Sequence, residues 1–328
     1  MNATLSMLTS KGYWKHAFSF RVLLVSLLAA LGALWTLVEI SLWYKFDTIT
    51  NWLQARAWVF LGIGVISAVW ENLPRVAVSC HPKNRDVKIS IRIGDIFAGT
   101  EDLIVGCNTS FDTDIASGLI STKSIQGQFT SESYHQVAHL DANIAAALTN
   151  VTPSSTGVAK QGKTSVYPIG TTVKVQGKSR TAYLCGFAHM NAHGNAQASL
   201  DDLKAALPKL WEHITSAGNH GEVVTPILGS GLSRIPVKRQ VLIQEILRSF
   251  ISACSSQIPC SSLSIVILPK DYFEFGLDLD ELGRFLVHLC TYTEFSPPGQ
   301  VGAGQALPIT QATAAVTNPG AVGAPTPP

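Results

Sequence analysis

The stretch Thr225-Pro-Ile-Leu-Gly-Ser-Gly-Leu-Ser-Arg-Ile-Pro236 carries the pattern that decides the fold. The apolar residues before Gly229 are typical of a buried strand, and residues 237–253 follow with helical periodicity. Glycine lets a backbone approach a ligand closely, and the start of a helix presents free N–H groups and a positive dipole to phosphate. Ser230 or Ser233 is placed to cap that helix. A phosphate-binding loop and an ordinary strand-to-helix turn both fit this local pattern.

The N-terminal part of the chain has a different, strongly apolar character. Residues 22–44 contain one acid, Glu39, and exceed the roughly 20 residues that cross a bilayer. A signal peptide is the competing interpretation, but this run is longer than a typical signal core and no clean cleavage site follows it. Residues 57–70 predict a second span, with residues 51–56 near the turn; one span plus a surface helix is the alternative. We therefore expect a transmembrane helical hairpin.

The distribution of basic residues predicts how this hairpin is oriented. More of them flank the two apolar blocks than lie between the blocks, and positive flanks stay in the cytoplasm. Both termini are therefore expected to be cytoplasmic. The flanking residues are Lys11, Lys15 and Arg21 before the blocks, and Arg75, Lys83, Arg85 and Lys88 after them.

Composition divides the chain into four segments. We expect a cytoplasmic segment over residues 1–20, the hairpin over 21–78, and one folded domain over 79–295. Residues 296–328 are rich in Pro, Gly and Ala, have little apolar surface to bury, and are expected to be disordered. The net charge of +2 is small and no basic patch with interleaved aromatic residues occurs, so nucleic acid is not an expected partner. The six cysteines form no C-x-x-C motif, which fits free thiols in a reducing compartment.

Strand and helix patterns alternate through the folded domain, which predicts an α/β fold of about six strands with helices on both faces. The strands are expected at residues 87–93, 103–107, 164–167 with 171–176 as a hairpin, 181–188, 223–228 and 263–268. The helices are expected at residues 131–148, 199–217 with Ser199 as its cap, 237–253 and 279–290.

Two motifs in this order resemble those of the macro domain, the ADP-ribose-binding fold with a mixed central sheet. The first is Ile93-Gly-Asp-Ile96, just after the first strand, and the second is the glycine stretch at residues 226–236. The resemblance implies that Asp95 accepts a hydrogen bond from the adenine amino group, a role that suits a carboxylate because it only accepts. It also implies that residues 229–234 receive phosphate. The resemblance covers roughly residues 87–290.

The chain departs from the common macro-domain pattern after the second strand. Many macro domains carry an Asn-Ala-Ala-Asn run and a glycine triplet there, and the Asn helps catalysis in the hydrolysing members. This chain has Ile104-Val-Gly-Cys-Asn-Thr-Ser-Phe-Asp-Thr-Asp114, then Ser124-Ile-Gln-Gly-Gln-Phe129, and no triplet. Asn108 can still reach a ribose hydroxyl. We therefore expect ligand binding, no catalytic residue and no enzymatic activity.

This departure and the N-terminal hairpin are similar to features of the membrane-anchored macro-domain effectors of bacterial Thoeris anti-phage systems. The resemblance implies that a partner TIR-domain enzyme converts NAD into an ADP-ribose derivative, with histidine-linked ADP-ribose as the suggested messenger. The macro domain senses it, and the membrane helices assemble and breach the inner membrane. The matching residues are Asn108, Phe111, Asp112, Ser124, Gly127, Gln128 and Phe129.

These resemblances together define the expected site and partners. The ligand is an ADP-ribose derivative, no cofactor is expected, and the partners are the signal molecule, the lipid bilayer and further copies of the chain. The expected ligand-binding residues are Asp95, Ile96, Asn108, Phe111, Asp112, Ser124, Gly127, Gly229, Ser230, Gly231, Leu232, Ser233 and Arg234.

Two other kinds of site were weighed against this one. The pairs His135/His139 and His189/His193 have an i, i+4 spacing that suits a metal on a helix, but no third ligand follows, so no metal is expected. The alternative function is a membrane-anchored ADP-ribosyl hydrolase or related phosphoesterase. Its candidate groups are Asp112, Asp114 and His135.

Overall fold

A computed structural model describes residues 20–72, 75–134, 136–191, 193–231, 235–293 and 295. The predicted N-terminal segment, apart from Phe20, and the predicted tail lie outside these residues. The described part begins with three helices, α1 (Phe20–Trp43), α2 (Asp47–Ala55) and α3 (Ala57–Asn72).

Helices α1 and α3 contact each other closely through small residues. A Cβ atom added to Gly64 of α3 would lie 2.8 Å from the Cβ of Ala30 in α1, so glycine permits this approach. By length and composition alone, Leu23–Trp43 can cross a membrane, and α2 with α3 forms a second candidate if it is counted as one span bent by 55°.

The chain reverses direction earlier than the sequence predicted. The turn lies at residues 44–46, where Lys45 has a φ of 53°, and residues 51–55 are helical. A hydrogen bond of 2.7 Å between the hydroxyls of Ser41 and Thr50 joins α1 to α2 across this turn. These two hydroxyls are buried together and hold α2 against the end of α1.

The described residues of the folded domain form a mixed sheet of eight strands in the order β1-β2-β8-β7-β3-β5-β4, with β6 pairing β5. The strands β2, β8, β7, β3 and β5 are parallel, and the others pair antiparallel. Their bounds are β1 Ala77–Cys80, β2 Lys88–Ile93, β3 Asp102–Asn108, β4 Thr172–Gln176, β5 Thr181–Met190, β6 Ala196–Gln197, β7 Glu222–Thr225 and β8 Ser262–Ile267.

Helices cover both faces of this sheet, as predicted for an α/β fold. Buried side chains of α6, α7 and α9 form one apolar core, and those of α4 and α5 form the other. Ser199 caps α6 in a capping box with Asp202, so that predicted cap is confirmed. The helices are α4 Ile125–Ser133, α5 Val137–Leu148, α6 Leu200–Ala217, α7 Arg239–Ser256, α8 Pro269–Glu274 and α9 Leu279–Tyr292.

Three predicted elements are wrong in detail. The helix expected at 131–148 is two helices, α4 and α5, because Tyr134 and Gln136 have extended backbones. The strand expected at 223–228 ends at Thr225, since Pro226 has no N–H to donate. The helix expected from residue 237 begins at Arg239 without a side-chain cap.

The predicted hairpin between residues 164–167 and 171–176 is also wrong. Val166 forms an isolated bridge with Ser155, and the N–H of Tyr167 donates to the carbonyl of Thr109. Strand β4 pairs with β5 instead. Residues 177–180 form a short polar turn between β4 and β5, so each of these strands pairs with its neighbour in the sequence.

Candidate functional site

A cleft of about 1000 Å³ opens at the carboxyl ends of the parallel strands. It is lined by the segments that follow β2, β3, β5, β7 and β8. In open α/β sheets this edge is where ligands bind, because the loops there bring together groups from several strands. The predicted residues in its wall are Ile96, Asn108, Ser124, Gly229, Ser230 and Gly231.

The glycine loop after β7 forms one wall of the cleft. Gly229 has a φ of +81°, a backbone conformation that residues with a side chain rarely adopt, and its carbonyl accepts from the N–H of Ile235. The hydroxyl of Ser230 donates to the carbonyl of Ile227 at 2.6 Å, so it stabilises the loop and does not cap α7. Nothing lies within 4 Å of a Cβ atom added to Gly231, so that position borders open space in the cleft.

Helix α7 begins only at Arg239, so the predicted helix start does not directly follow the glycine loop. This wall of the cleft is therefore formed by the loop and not by the N-terminus of α7. The guanidinium of Arg239 donates to the carbonyl of Ser230 at 3.0 Å and lies over the ring of Phe275. This arginine therefore ties the loop to the helix that follows. The predicted loop residues Leu232, Ser233 and Arg234 lie outside the described residues.

The loop that follows β2 carries Asp95. This carboxylate is exposed, and its Oδ1 accepts from the N–H of Phe97 at 2.9 Å, which leaves Oδ2 for a ligand. The neighbouring Ile96 is buried and lines the cleft. The guanidinium of Arg180, 7% exposed, donates to the carbonyls of both Ile96 and Phe97 at 3.1 Å.

Arg180 is therefore a positioning residue that the sequence did not indicate. A planar guanidinium presents several donors in a fixed geometry, so one side chain can hold two successive carbonyls. The sequence contained no signal for this contact because the partners are backbone groups more than 80 residues away along the chain.

Asn108 ends strand β3 at the floor of the cleft. It is 3% exposed, and its Oδ1 accepts from the N–H groups of Ser110 and Asp112 at 3.0 and 3.3 Å. The side-chain oxygen is thus used by the turn that follows the strand. The Nδ2 group carries two N–H donors, which suit a ribose hydroxyl.

Phe111 and Asp112 lie beneath the cleft and outside its wall. The Asp112 carboxylate pairs with the ammonium of Lys160 at 2.8 Å and accepts from the N–H of Lys163 at 2.6 Å. The Lys163 ammonium in turn donates to the carbonyl of Phe111 and pairs with Asp141. These contacts give Phe111 and Asp112 a supporting position under the residues that line the cleft.

The start of helix α4 forms the wall opposite the glycine loop. Ser124 caps the helix by accepting from the N–H of Gly127 at 3.0 Å, and it donates to the carbonyl of Ser121 at 2.7 Å. A Cβ atom on Gly127 would lie 2.1 Å from the Ser121 carbonyl oxygen, so this position requires glycine for close approach. The side chain of Gln126 donates to the carbonyl of Asp112 at 2.6 Å and joins the helix to the turn below.

The cleft wall also contains residues that the sequence analysis missed. They share one property: each lies near the carboxyl end of a parallel strand or at the start of α4. In α/β folds, ligands bind at the carboxyl ends of the parallel strands, and this rule was the signal available from the sequence. The rule does not specify which residues of each loop face the cleft. Examples are Cys107, Lys123, Gln126, Met190, Asn195 and Asp271.

The thiol of Cys107, which lines the cleft, is not activated as a nucleophile. Burial, and then the neighbouring Cys185, raises the pKa of the Cys107 thiol well above its usual value. A thiol in that state is a poor nucleophile. Within the part of the chain that the structure describes, no cluster of three or more His, Cys, Asp or Glu residues could hold a metal ion.

The family model described as Thoeris protein ThsA, Macro domain, matches residues 89–268, more than half of the chain. Thoeris protein ThsA of Bacillus amyloliquefaciens (strain Y2) is 26% identical over 152 residues, which cover 45% of this chain and 50% of that protein. The chain therefore spans about half the length of that relative. The family match confirms the macro-domain part of the resemblance, over residues 89–268.

Among solved structures, the chain is similar to the Oceanobacillus iheyensis macrodomain. The structure of that macrodomain with ADP is 15% identical, has a TM-score of 0.43, and covers 65% of this chain and 99% of that chain. The structure with MES bound is also 15% identical at a TM-score of 0.43, with 65% and 98% covered.

Proposed function

Because the chain belongs to the Thoeris ThsA macro-domain family, we propose that it is a membrane-anchored receptor for an ADP-ribose derivative in a bacterial anti-phage defence system. The observation that carries the proposal is the cleft at the strand ends, with a glycine loop at one wall and Ile96, the neighbour of the exposed Asp95 carboxylate, at another. A ligand with an adenine, a pyrophosphate and a ribose uses each of these groups.

The proposed placement of the ligand follows from the chemistry of the site. The adenine amino group donates to the free Oδ2 of Asp95, and the pyrophosphate lies against residues 229–231 and the rest of the glycine loop. The distal ribose reaches Asn108 and the start of α4. Backbone N–H groups of a glycine loop favour an anionic ligand.

The proposed response takes place at the inner bacterial membrane. Helices α1 and α3 anchor the chain as two spans, with both termini in the cytoplasm. A TIR-domain enzyme supplies the messenger, of which histidine-linked ADP-ribose is the proposed form. Binding drives assembly of several copies, and their helices disrupt the bilayer.

The two carboxylates predicted for the alternative hydrolase, Asp112 and Asp114, favour a receptor. A general base works best with a pKa near the operating pH. Asp112 is buried in an ion pair with Lys160, and hydrogen bonds from Ser117 lower the pKa of the exposed Asp114. The Asp112 carboxylate is thus held by Lys160, and neither Asp112 nor Asp114 lines the cleft.

The experiment is titration calorimetry on the full chain in lipid nanodiscs with ADP-ribose, histidine-linked ADP-ribose and ribose 5-phosphate. We expect the two ADP-ribose ligands to bind and ribose 5-phosphate to bind far more weakly. Gly231→Trp should abolish binding because its ring fills the open space at the loop, while Gly231→Ala should bind normally.

Chromatography of the ligands after the titration tests the alternative. Recovery of unchanged ligand supports a receptor, and steady conversion of it supports a hydrolase. Equal affinity for ribose 5-phosphate and ADP-ribose, or unchanged binding by Gly231→Trp, contradicts the proposed site.

A further inference from the structure

We propose that helix α2 lies in the boundary between lipid headgroups and acyl chains, at the end of the hairpin opposite its two chain ends. The partner of α2 is thus the phospholipid surface of the leaflet away from the cytoplasm. This inference rests on the proposed membrane anchoring and adds a defined lipid-contacting element to it.

Helix α2 is fixed to the hairpin along one side only. The Thr50 hydroxyl is buried against the Ser41 hydroxyl of α1 at 2.7 Å, and Leu53, one turn further, is also buried. The N–H of Phe46 donates to the carbonyl of Ser41 at 2.9 Å, which closes the turn before the helix. Thr50 and Leu53 therefore face α1, and the remaining surface of α2 faces outward.

The outward surface of α2 has two flanks of opposite character. Ile49 and Trp52, three residues apart and so on one side of the helix, are 50% and 51% exposed. Asn51 and Gln54, also three residues apart, are exposed on the other side, with Asp47 in the first turn. A helix with this division suits a surface that is apolar on one side and wet on the other.

Aromatic and basic residues surround the apolar flank. The guanidinium of Arg56 lies 4.8 Å from the ring centre of Trp52, and Tyr44 stacks on Phe46 at 5.9 Å. Trp and Tyr are enriched at the membrane interface because one end of each ring system is apolar and the other is polar. Arginine near the end of a span extends its charge toward the headgroups.

Neither water nor the hydrocarbon core accommodates α2 as well as the boundary does. In water, the exposed side chains of Ile49, Trp52 and Phe46 would remain hydrated. In the core, Asp47 and the amides of Asn51 and Gln54 would be desolvated without partners. The bend of 55° between α2 and α3 at Arg56 lets α2 leave the direction of the span.

The lipid-facing surface of the hairpin continues onto this flank. The apolar side chains of α1 and α3 that face away from each other are highly exposed, and the flank of α2 extends that surface around the turn. One continuous apolar surface ending in an aromatic, basic rim is the pattern of a protein that meets a bilayer from core to headgroup.

The test is thiol labelling of single positions on the full chain in spheroplasts and in inverted membrane vesicles, with a membrane-impermeant maleimide. The parent carries Cys80→Ser, since Cys80 is the half-exposed cysteine among those described. Ile49→Cys and Trp52→Cys probe the apolar flank, and Asn51→Cys and Gln54→Cys are the matched controls on the polar flank.

We expect Asn51→Cys and Gln54→Cys to label from the outer face about tenfold faster than Ile49→Cys and Trp52→Cys. Maleimide reacts with the thiolate, and a rise of about one pKa unit in an apolar environment lowers the thiolate fraction about tenfold. Equal fast labelling at all four positions places α2 in water and overturns the proposal. Absence of labelling at all four places it in the hydrocarbon core and also overturns it.

Two further measurements separate this inference from the anchoring on which it rests. Alkaline carbonate extraction of the parent tests anchoring alone: release of the protein overturns the anchoring, whereas a membrane pellet with four equal labelling rates overturns only the position of α2. Fluorescence quenching by brominated phospholipids, compared between the parent and Trp52→Phe, checks the depth without any cysteine. Trp52 should be quenched most by bromines close to the headgroup, and strongest quenching by bromines near the bilayer centre contradicts the proposal.

Discussion

The ammonium nitrogen of Lys160 lies 2.8 Å from Oδ2 of Asp112, and both side chains are 1% exposed. The other oxygen of Asp112 accepts from the N–H of Lys163. A single carboxylate thus joins the turn after β3 to residues 160–163, beneath the cleft. Such a buried ion pair adds little net stability, but loss of one partner leaves the other charge buried and unpaired.

Asp112→Ala should therefore lower the free energy of unfolding by about 3–5 kcal/mol, the usual cost of breaking a buried pair. Urea unfolding of the full chain in detergent measures this cost. Lys160→Met should also be costly, while the double variant should lose less than the sum of the two single changes. Fully additive losses would show that the two charges do not stabilise each other.

Two glycines of the same loop are expected to respond differently to alanine. Gly229 has a φ of +81°, and a Cβ atom there would lie 2.4 Å from Cδ1 of Ile235, so Gly229→Ala should destabilise the fold. The left-handed conformation alone costs about 1–2 kcal/mol for a residue with a side chain. Gly231→Ala, which meets nothing within 4 Å, is the matched control and should leave the melting temperature unchanged. Similar melting temperatures for both variants would contradict the strained geometry at Gly229.

Elements with strong local patterns were predicted well from the sequence. The strands β3, β5 and β8 are apolar runs bounded by polar or glycine residues, β2 alternates apolar and polar residues, and each strand lies where it was expected. The cap of α6 was also predicted, because Ser199 and Asp202 are three residues apart and their contact is local. The fold class followed from the order of these elements.

The contacts that shape the site depend on residues far apart in the chain. Arg180 contacts the carbonyl of Ile96 across 84 residues, and Lys160 contacts Asp112 across 48. Periodicity and turn signals describe neighbours only, so they could not indicate either contact. The same limit explains the wrong hairpin at residues 164–167, whose bridging partner is Ser155.

Asp95 is expected to bind the adenine through the oxygen that its turn does not use. Asp95→Ala should weaken binding of ADP-ribose by about 1–3 kcal/mol, the cost of leaving a buried donor without its acceptor. Asp95→Asn keeps an Oδ1 for the N–H of Phe97 but presents an N–H₂ group to the adenine amino group. It should lose as much affinity as the alanine variant. Calorimetry measures the affinity of Asp95→Asn for ADP-ribose. An affinity equal to that of the parent would show that Asp95 only stabilises its turn, through the N–H of Phe97, and does not bind the adenine.

His213 should make the stability of the domain depend on pH below neutrality. Burial, followed by the charge of Lys174, lowers the pKa of His213 below its ordinary value of 6.5. At a pH between the pKa of His213 in the folded chain and 6.5, the unfolded chain binds more protons than the folded chain does. The contribution of His213 to the free energy of unfolding is therefore complete above pH 6.5 and decreases as the pH falls below 6.5. Urea unfolding between neutral and mildly acidic pH should show a smaller loss of stability for His213→Phe than for the parent. Identical pH profiles would rule out this contribution.

Ligand-dependent assembly is the expected output of the proposed receptor. A ligand drives assembly only if it binds the assembled state better than the single chain, and a shift from about 1:99 to about 99:1 needs a difference of about 5.5 kcal/mol. One small contact rarely supplies this, but several subunits that bind together do, so the dose response should be cooperative.

The hairpin residues should determine whether that assembly forms. Glu39 is exposed on α1, and a carboxylate is costly in hydrocarbon, so it is expected to face water or a partner helix once copies assemble. Glu39→Leu should alter the cross-linked ladder in membranes or their conductance, whereas the affinity for ADP-ribose stays that of the parent. Gly231→Trp is the matched control, since it should bind no ligand and show the same ladder with and without it. If the parent gives the same cross-linked ladder with and without ADP-ribose, ligand-driven assembly is contradicted. The ligand would then bind the single chain and the assembled chain equally well.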